Sequence, residues 1–179
     1  DGMRALIDAA QGAGADLVKF QVWQPYAGDP YADLRLPFEA LPNLVGYTQA
    51  IGFEWFATPD DIGSVYMLES LHVPLYKVGS GGLANEPLLR EIGATKKPVI
   101  VSTGMADLRE IRSALRTLWH AGAHELTLLA CTSSYPTPTG ELNLRTIQTL
   151  NNNFSLPTGL SCHAAPEYAP LIAAAAVGL

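Results

Sequence analysis

Residues 98–131 contain two apolar runs separated by a segment with a different periodicity: PVIVSTGMADLREIRSALRTLWHAGAHELTLLAC. The two runs, Pro98–Thr103 and Leu126–Cys131, are typical of buried strands. Between them apolar residues recur every three or four positions, as on one face of a helix, at Leu108, Ile111, Leu115 and Leu118. Asp107 with Glu110 predicts a capping box at the helix start, and Gly122 predicts its end. The segment is therefore expected to be a strand–helix–strand unit.

The same alternation extends along the chain. Further strands are expected at four apolar runs, Leu17–Trp23, Glu54–Pro59, Pro74–Gly79 and Pro157–Cys162. A helix is expected over residues 3–13, and another should begin at Asn85-Glu86-Pro87 and stop near Gly93. Strands alternating with helices indicate an α/β fold with a parallel sheet. An open doubly wound sheet and a TIM (β/α)₈ barrel both fit. The barrel is favoured, because no glycine-rich phosphate-binding turn follows the first strand.

Composition excludes several classes of protein. The chain has 179 residues and a net charge of −6, which argues against a nucleic-acid-binding role. Its apolar runs are much shorter than the ~20 residues that span a bilayer. Cys131 and Cys162 form no C-x-x-C motif, which favours a reduced, cytoplasmic setting. One domain is expected over residues 1–179, as part of a longer protein. Residues 3–13 have the pattern of the middle of an amphipathic helix, and an alanine-rich helix is expected up to the last residues.

Polar residues inside apolar strands predict a site. Lys19 and Gln21 share one face of the first strand, and Lys77 stands in a similar run before Ser80-Gly81-Gly82. Two lysines and a turn with accessible backbone N–H groups suit a phosphate or carboxylate. Alternatively, each lysine reaches solvent or pairs with a carboxylate.

Other strand ends carry weaker signals. Ser102 ends one predicted strand, and the run Cys131-Thr132-Ser133-Ser134-Tyr135-Pro136 follows another. The tripeptide Thr58-Pro59-Asp60 indicates a helix entry when taken alone. His163 is the one histidine at a strand end, where it is either structural or a metal ligand. Residues 24–41, with Pro25, Pro30 and Pro37 inside the range and Pro42 directly after it, are expected to be one long irregular loop with a binding or lid function.

Six segments at these positions resemble the sialic acid synthase family, which includes N-acetylneuraminate, legionaminic acid and pseudaminic acid synthases. The resemblance runs from about residue 5 to residue 179. It rests on residues 14–21 (GADLVKFQ), 57–59 (ATP), 73–81 (VPLYKVGSG), 97–105 (KPVIVSTGM), 131–136 (CTSSYP) and 159–163 (GLSCH).

The resemblance implies a TIM barrel whose strands 1 and 8 lie outside this chain, with the family's C-terminal antifreeze-like domain also outside it. It implies condensation of phosphoenolpyruvate with an N-acetylated sugar aldehyde, such as N-acetylmannosamine. The product is a nine-carbon 2-keto sugar acid, and phosphate leaves. A Mn²⁺ cofactor, a role in polysaccharide biosynthesis, a cytoplasmic location and a homodimer are implied as well.

Site residues follow from the resemblance position by position. Lys19, Lys77 and Tyr135 are the implied catalytic residues, and His163 is an implied metal ligand. The implied substrate-binding residues are Lys19, Thr58, Lys77, Ser80, Asn85, Ser102, Ser133 and Tyr135.

Three positions depart from the family pattern. Gly82 stands where the family usually has Glu, Cys162 where it has Asp, and Ala130 where it commonly has His. These changes leave open an inactive member that binds a sugar or an anionic metabolite. An aldolase with Lys77 as a Schiff-base lysine is a third reading.

Overall fold

The structure, a computed structural model, describes residues 2–164 of the chain. It contains two compact units, of which the first ends at Lys77 and the second begins at Val78. Strands and helices alternate in both. None of the helices in the described range is long and apolar enough to cross a membrane.

The first unit is built on parallel strands. Its elements are α1 (Gly2–Gly12), β1 (Leu17–Val22), α2 (Leu41–Ala50), β2 (Glu54–Pro59) and α3 (Ile62–Ser70), and β3 (Tyr76–Val78) lies at the boundary. The register of β1 and β2 runs from Leu17 opposite Glu54 to Val22 opposite Pro59. Ala57 of β2 pairs with Tyr76 of β3. Alternate residues of β1 are buried, so Phe20 and Val22 face the core while Lys19 and Gln21 share the exposed face.

The second unit repeats the pattern. It contains α4 (Glu86–Ala94), β4 (Val99–Ser102), α5 (Leu108–Ala121), β5 (Leu126–Cys131), α6 (Thr146–Phe154) and β6 (Thr158–Ser161). β5 pairs in parallel with β4 on one side and β6 on the other. The α/β prediction and the six predicted strands are therefore confirmed, as is the capping box at Asp107 and Glu110.

The helix α4 ends at Ala94, one residue after the predicted stop near Gly93, and Thr95 is its C-cap. A Cβ on Gly93 would lie 2.6 Å from the Cβ of Ala121 and 2.8 Å from the backbone oxygen of Leu118. This glycine is therefore required by the close approach of α4 to α5 rather than by the end of a helix.

Residues 24–41 are more ordered than a single irregular loop. Short 3₁₀ turns occupy Ala32–Leu34 and Phe38–Ala40, and α2 begins at Leu41. The indole Nε1 of Trp23 donates to Asp29 Oδ2 at 2.7 Å, which fastens the start of the segment to the end of β1. The alanine-rich C-terminal helix expected from the sequence lies outside the described residues.

Candidate functional site

The first unit gathers charged groups at the carboxyl ends of its strands. Lys19 lies on β1, Lys77 on β3, and Asp60 directly follows β2. Gln21 Nε2 donates to Asp60 Oδ2 at 2.7 Å. The positive charges of Lys19 and Lys77 both act on the Asp60 carboxylate. This cluster holds two ammonium groups near the Asp60 carboxylate, and the adjacent Asp61 carboxylate also acts on Asp60.

Burial perturbs both members of the Lys19–Asp60 pair. It lowers the pKa of the Lys19 ammonium, while attraction to Asp60 acts in the opposite direction. It also raises the pKa of the Asp60 carboxyl, although the Gln21 hydrogen bond and the two lysines oppose that change. Both residues keep solvent-exposed surface, so an entering anion can reach them. A lysine that has lost hydration gains more from a bound anion than a fully solvated one does.

Asp60 is the residue that sequence reasoning missed. The tripeptide Thr58-Pro59-Asp60 indicated a helix entry, and α3 does begin at Ile62, but its N-cap is Asp61. Asp61 Oδ1 accepts from Ser64 N at 2.8 Å, and its Oδ2 accepts from the backbone N of Gln24 at 2.6 Å. The sequence did contain a signal for Asp60. Two aspartates follow β2, and only one of them is needed to cap α3, so the other was a candidate site residue.

Thr58 is buried without a hydrogen-bond partner. It is 1 % exposed, and its Oγ1 is the one buried side-chain oxygen or nitrogen of residues 2–164 for which no partner is found. Thr58 pairs in register with Gln21, which donates to Asp60. An unsatisfied buried hydroxyl costs about 1–3 kcal/mol. The hydroxyl can therefore gain free energy from a ligand oxygen beside the charged cluster.

The second unit places two predicted serines around Gly104. The Gly104 backbone N–H donates to Ser80 Oγ at 3.0 Å. A Cβ on Gly104 would collide with Ser133 Oγ and would lie 2.8 Å from Ser80 Oγ. Thr103 binds the end of β4 to β5, because its N–H and Oγ1 both donate to the Leu129 oxygen, at 3.1 and 2.9 Å. Only a residue without a side chain fits between the two hydroxyls.

Two further residues predicted to bind substrate, Ser102 and Asn85, lie at the ends of regular elements. Ser102 is buried at the end of β4, where it is 1 % exposed. Asn85 caps α4, because its Oδ1 accepts from Leu88 N at 3.2 Å. The cap explains Asn85 structurally, and its substrate role stays a prediction.

Tyr135, His163 and Cys131 form a third group. The Tyr135 and His163 rings lie 4.2 Å apart between centroids, and Cys131 Sγ is 3.9 Å from His163 Nδ1. Burial raises the pKa of the Tyr135 phenol, and Cys131 adds to the effect. Tyr135 is nevertheless 72 % exposed, so its hydroxyl can reach a ligand. The Thr137 N–H donates to the His163 oxygen at 2.9 Å, which holds the segment after β5 beside the end of β6.

The described residues do not fit the implied Mn²⁺. Within residues 2–164, no group of three or more His, Cys, Asp or Glu side chains could hold a metal ion. His163 faces the thiol of Cys131, a soft donor, whereas Mn²⁺ prefers carboxylate, carbonyl and water oxygens. Any metal would need ligands beyond this pair.

A family model described as the NeuB family matches residues 25–179. The chain belongs to the NeuB family. It is 35 % identical to the N,N'-diacetyllegionaminic acid synthase of Campylobacter jejuni, over 89 % of this chain and 55 % of that protein. It is 37 % identical to an uncharacterized protein of Methanocaldococcus jannaschii, over 96 % of this chain and 53 % of that one. This NeuB-family chain therefore spans about half the length of these curated relatives.

A solved structure decides between the two α/β architectures. The chain matches an N-acetylneuraminic acid synthetase from Leptospira borgpetersenii with a TM-score of 0.88 and 30 % identity, over 97 % of this chain and 63 % of that one. That neighbour has the TIM-barrel fold. The preference for the barrel over an open doubly wound sheet is confirmed, as is the resemblance to the synthases.

Proposed function

We propose that this NeuB-family chain binds phosphoenolpyruvate and belongs to a sialic-acid-type synthase. The enzyme condenses phosphoenolpyruvate with an N-acetylated sugar aldehyde, such as N-acetylmannosamine, to a nine-carbon 2-keto acid. One C–C bond forms, and phosphate leaves with cleavage of its C–O bond. The supporting observation is the cluster of Lys19, Lys77 and Asp60 beside the unsatisfied hydroxyl of Thr58.

The roles of the first unit follow from charge and burial. Phosphoenolpyruvate carries a phosphate and a carboxylate, and the two ammonium groups supply opposite charge. Thr58 Oγ1 donates a hydrogen bond to a substrate oxygen and so satisfies its own buried hydroxyl. Asp60 positions Lys19 and, by attraction, favours its charged form. The positive charge is fixed before the substrate arrives, so little reorganisation is needed.

The second unit supplies hydroxyl groups. Ser80 and Ser133 face the backbone of Gly104, and Ser102 ends the adjacent β4. These donors are proposed to bind substrate oxygens, in agreement with the family resemblance. Tyr135 is proposed to bind substrate through its exposed hydroxyl. A homodimer and a cytoplasmic location remain predictions of the resemblance.

The test of this proposal measures phosphoenolpyruvate binding by calorimetry. Lys77→Met and Lys19→Met are each expected to weaken binding by about tenfold or more, because a charged hydrogen bond contributes about 1.5–3 kcal/mol. Lys96→Met removes a lysine from the connection between α4 and β4 and serves as the control. Binding that is equal in all three variants would contradict the anion site, provided that each variant unfolds at the wild-type temperature.

The alternative is a NeuB-family protein that binds these ligands without turnover. It is favoured by Gly82, Cys162 and Ala130, which replace polar residues of the family pattern. Position 82 has room for a side chain, because an added Cβ would lie 3.4 Å from Val78 Cγ1 and 3.9 Å from Leu88 Cδ2. If the missing carboxylate silences the site, Gly82→Glu should raise phosphate release from phosphoenolpyruvate and N-acetylmannosamine. Phosphate release by the wild-type protein would exclude this alternative.

A further inference from the structure

A pocket on the outer surface of α4 and α5 is lined by basic residues. Its volume is about 550 Å³, and its arginines are Arg90 on α4 and Arg109, Arg112 and Arg116 on α5. We refer to it as the arginine pocket. The α5 arginines follow an i, i+3, i+7 spacing, which places them on one helix face. Arg90 of α4 lines the same pocket, because Gly93, one turn later, allows α4 to pack closely on α5.

The concentration of charge in this pocket is unusual for the chain. The sequence has 11 lysines and arginines and a net charge of −6, yet four of these cations line one pocket. Arg90 pairs with Glu86, and Arg109 pairs with Asp107 at 2.9 Å, but neither carboxylate lines the pocket. Like charges held close together repel unless a counter-charge is present. The side chains that line the pocket do not neutralise the four arginines, so a bound anion can supply the missing negative charge.

Two of the arginines are available to a ligand. In the described part of the chain, Arg112 and Arg116 form no ion pair with a carboxylate. The Arg112 guanidinium instead lies 5.1 Å from the centroid of the Phe154 ring, which limits its orientations. A guanidinium that is already oriented loses less freedom when it binds.

The remaining lining side chains on α5 also carry hydrogen-bond donors. Ser113 and Thr117 interleave with the arginines on the same helix face, and His120 follows one turn later. No acidic side chain is among the lining residues. Guanidinium groups bind phosphate through paired hydrogen bonds, and hydroxyl groups add single ones. This donor set suits phosphoryl oxygens.

The length of the pocket indicates more than one phosphoryl group. Arg109 and Arg116 are seven positions apart, which corresponds to about 10 Å along the helix. Arg112 and Arg116 are neighbours one turn apart, at about 6 Å between their Cβ atoms. A single phosphate engages one such pair, whereas a chain of phosphates spans the face. The volume also lies in the ~300–1,000 Å³ range of small-molecule sites.

We propose that the arginine pocket binds a small anion with two or more phosphoryl groups, such as a nucleoside di- or triphosphate. None of its residues belongs to the proposed phosphoenolpyruvate site, and the proposal does not depend on that function. A small anion is favoured over an acidic protein surface, because the volume of the arginine pocket matches that of a small-molecule site.

Calorimetry with inorganic triphosphate tests the proposal in about 50 mM salt. We expect one site, with affinity reduced by at least about tenfold in Arg112→Gln/Arg116→Gln. The control Arg4→Gln/Arg35→Gln makes the same charge change in the first unit and should stay within about twofold of wild type. Circular dichroism confirms that each variant is folded. Lys19→Met/Lys77→Met should retain triphosphate binding, which separates this pocket from the phosphoenolpyruvate site.

Four outcomes would overturn the proposal. They are no binding of triphosphate by the wild-type protein, equal losses in the pocket and control variants, loss only in Lys19→Met/Lys77→Met, and binding of polyglutamate without binding of triphosphate. The third result would assign triphosphate to the phosphoenolpyruvate site. The fourth would assign the arginines to an acidic protein partner.

Discussion

A buried hydroxyl without a partner is the clearest chemical feature at the residue scale. Thr58 belongs to β2, and both of its neighbours, Ala57 and Pro59, are buried. Such an atom is tolerated when something outside the free protein satisfies it. The same logic applies to Lys19 and Asp60, whose pKa values are both shifted by burial toward the neutral form. The Thr58 hydroxyl and the Lys19 ammonium would both be stabilised by an anion with hydrogen-bond acceptors, whereas the Asp60 carboxylate would be repelled by it.

Thr58→Val is expected to affect stability and binding in opposite ways. Valine keeps the shape and removes the unsatisfied hydroxyl, so the free energy of unfolding should rise by about 1 kcal/mol. Phosphoenolpyruvate binding should weaken by about tenfold, because the hydrogen bond is lost. Chemical denaturation and calorimetry measure the two effects, and Thr58→Ser serves as the hydroxyl-retaining control. A destabilised valine variant would show that the hydroxyl already has a partner.

Asp60→Asn should change the pH dependence of phosphoenolpyruvate binding. The Lys19 pKa is lowered by burial, so its ammonium, and with it the affinity for anions, is lost as pH rises through that lowered pKa. Asp60 raises this pKa, and its removal moves the alkaline loss of affinity to lower pH. Dissociation constants measured from pH 6 to pH 10 for both proteins test this. Superimposable profiles would exclude Asp60 as a positioning residue, and a Lys19→Met background should abolish the difference.

At the scale of elements, glycines determine how closely helices and loops approach. Gly93 permits the contact between α4 and α5, and Gly104 fits between the hydroxyls of Ser80 and Ser133. Helix boundaries are set by local signals, such as the Asp107–Glu110 box on α5 and Asp61 on α3. Close packing of α4 on α5 therefore accounts for the glycine at position 93.

Gly93→Ala should destabilise the protein, and Gly46→Ala should not. The added Cβ at position 93 would lie 2.6 Å from the Ala121 Cβ, and relieving that overlap should cost about 1–3 kcal/mol. Gly46 lies in α2, where an added Cβ meets nothing within 4 Å, so alanine should stabilise the helix by up to about 1 kcal/mol. Chemical denaturation measures the free energy of unfolding of both variants and of the wild-type protein. Equal effects would mean that helix propensity, not packing, governs position 93.

At the scale of the whole molecule, the NeuB-family chain spans only part of the length of its relatives. It covers 55 % of the Campylobacter legionaminic acid synthase and 63 % of the Leptospira synthetase chain. The groups proposed to bind phosphoenolpyruvate belong to this chain, whereas the described donors are too few for a metal ion. Anion binding and metal dependence should accordingly be separable in experiments.

Removal of divalent metal should leave phosphoenolpyruvate binding by the NeuB-family protein largely intact. The binding groups proposed here are ammonium and hydroxyl groups, which do not need a metal. Phosphate release with N-acetylmannosamine is measured before and after addition of EDTA and again with Mn²⁺, because the family resemblance implies a metal for which the described residues offer too few ligands. Calorimetry and a phosphate assay follow the two quantities on one preparation. If EDTA abolishes binding of phosphoenolpyruvate, the lysine cluster is insufficient without the metal.

The sequence by itself determined the strands, the α/β class and the family. These depend on the spacing of apolar residues, on caps and on short motifs, all of which are local. The sequence also predicted an anion-binding role for Lys19 and Lys77, because lysines are rare inside apolar strands.

Only the tertiary structure decided which groups meet. Asp60 joins the lysines because β1 and β2 pair in a register that sets Gln21 opposite Thr58, and no local signal encodes that pairing. The unsatisfied state of Thr58 Oγ1, the close packing at Gly93 and the arginine pocket likewise depend on contacts between residues distant in sequence. Hydrogen bonding, burial and charge clustering are properties of three-dimensional neighbours, so they emerge only when the chain is folded.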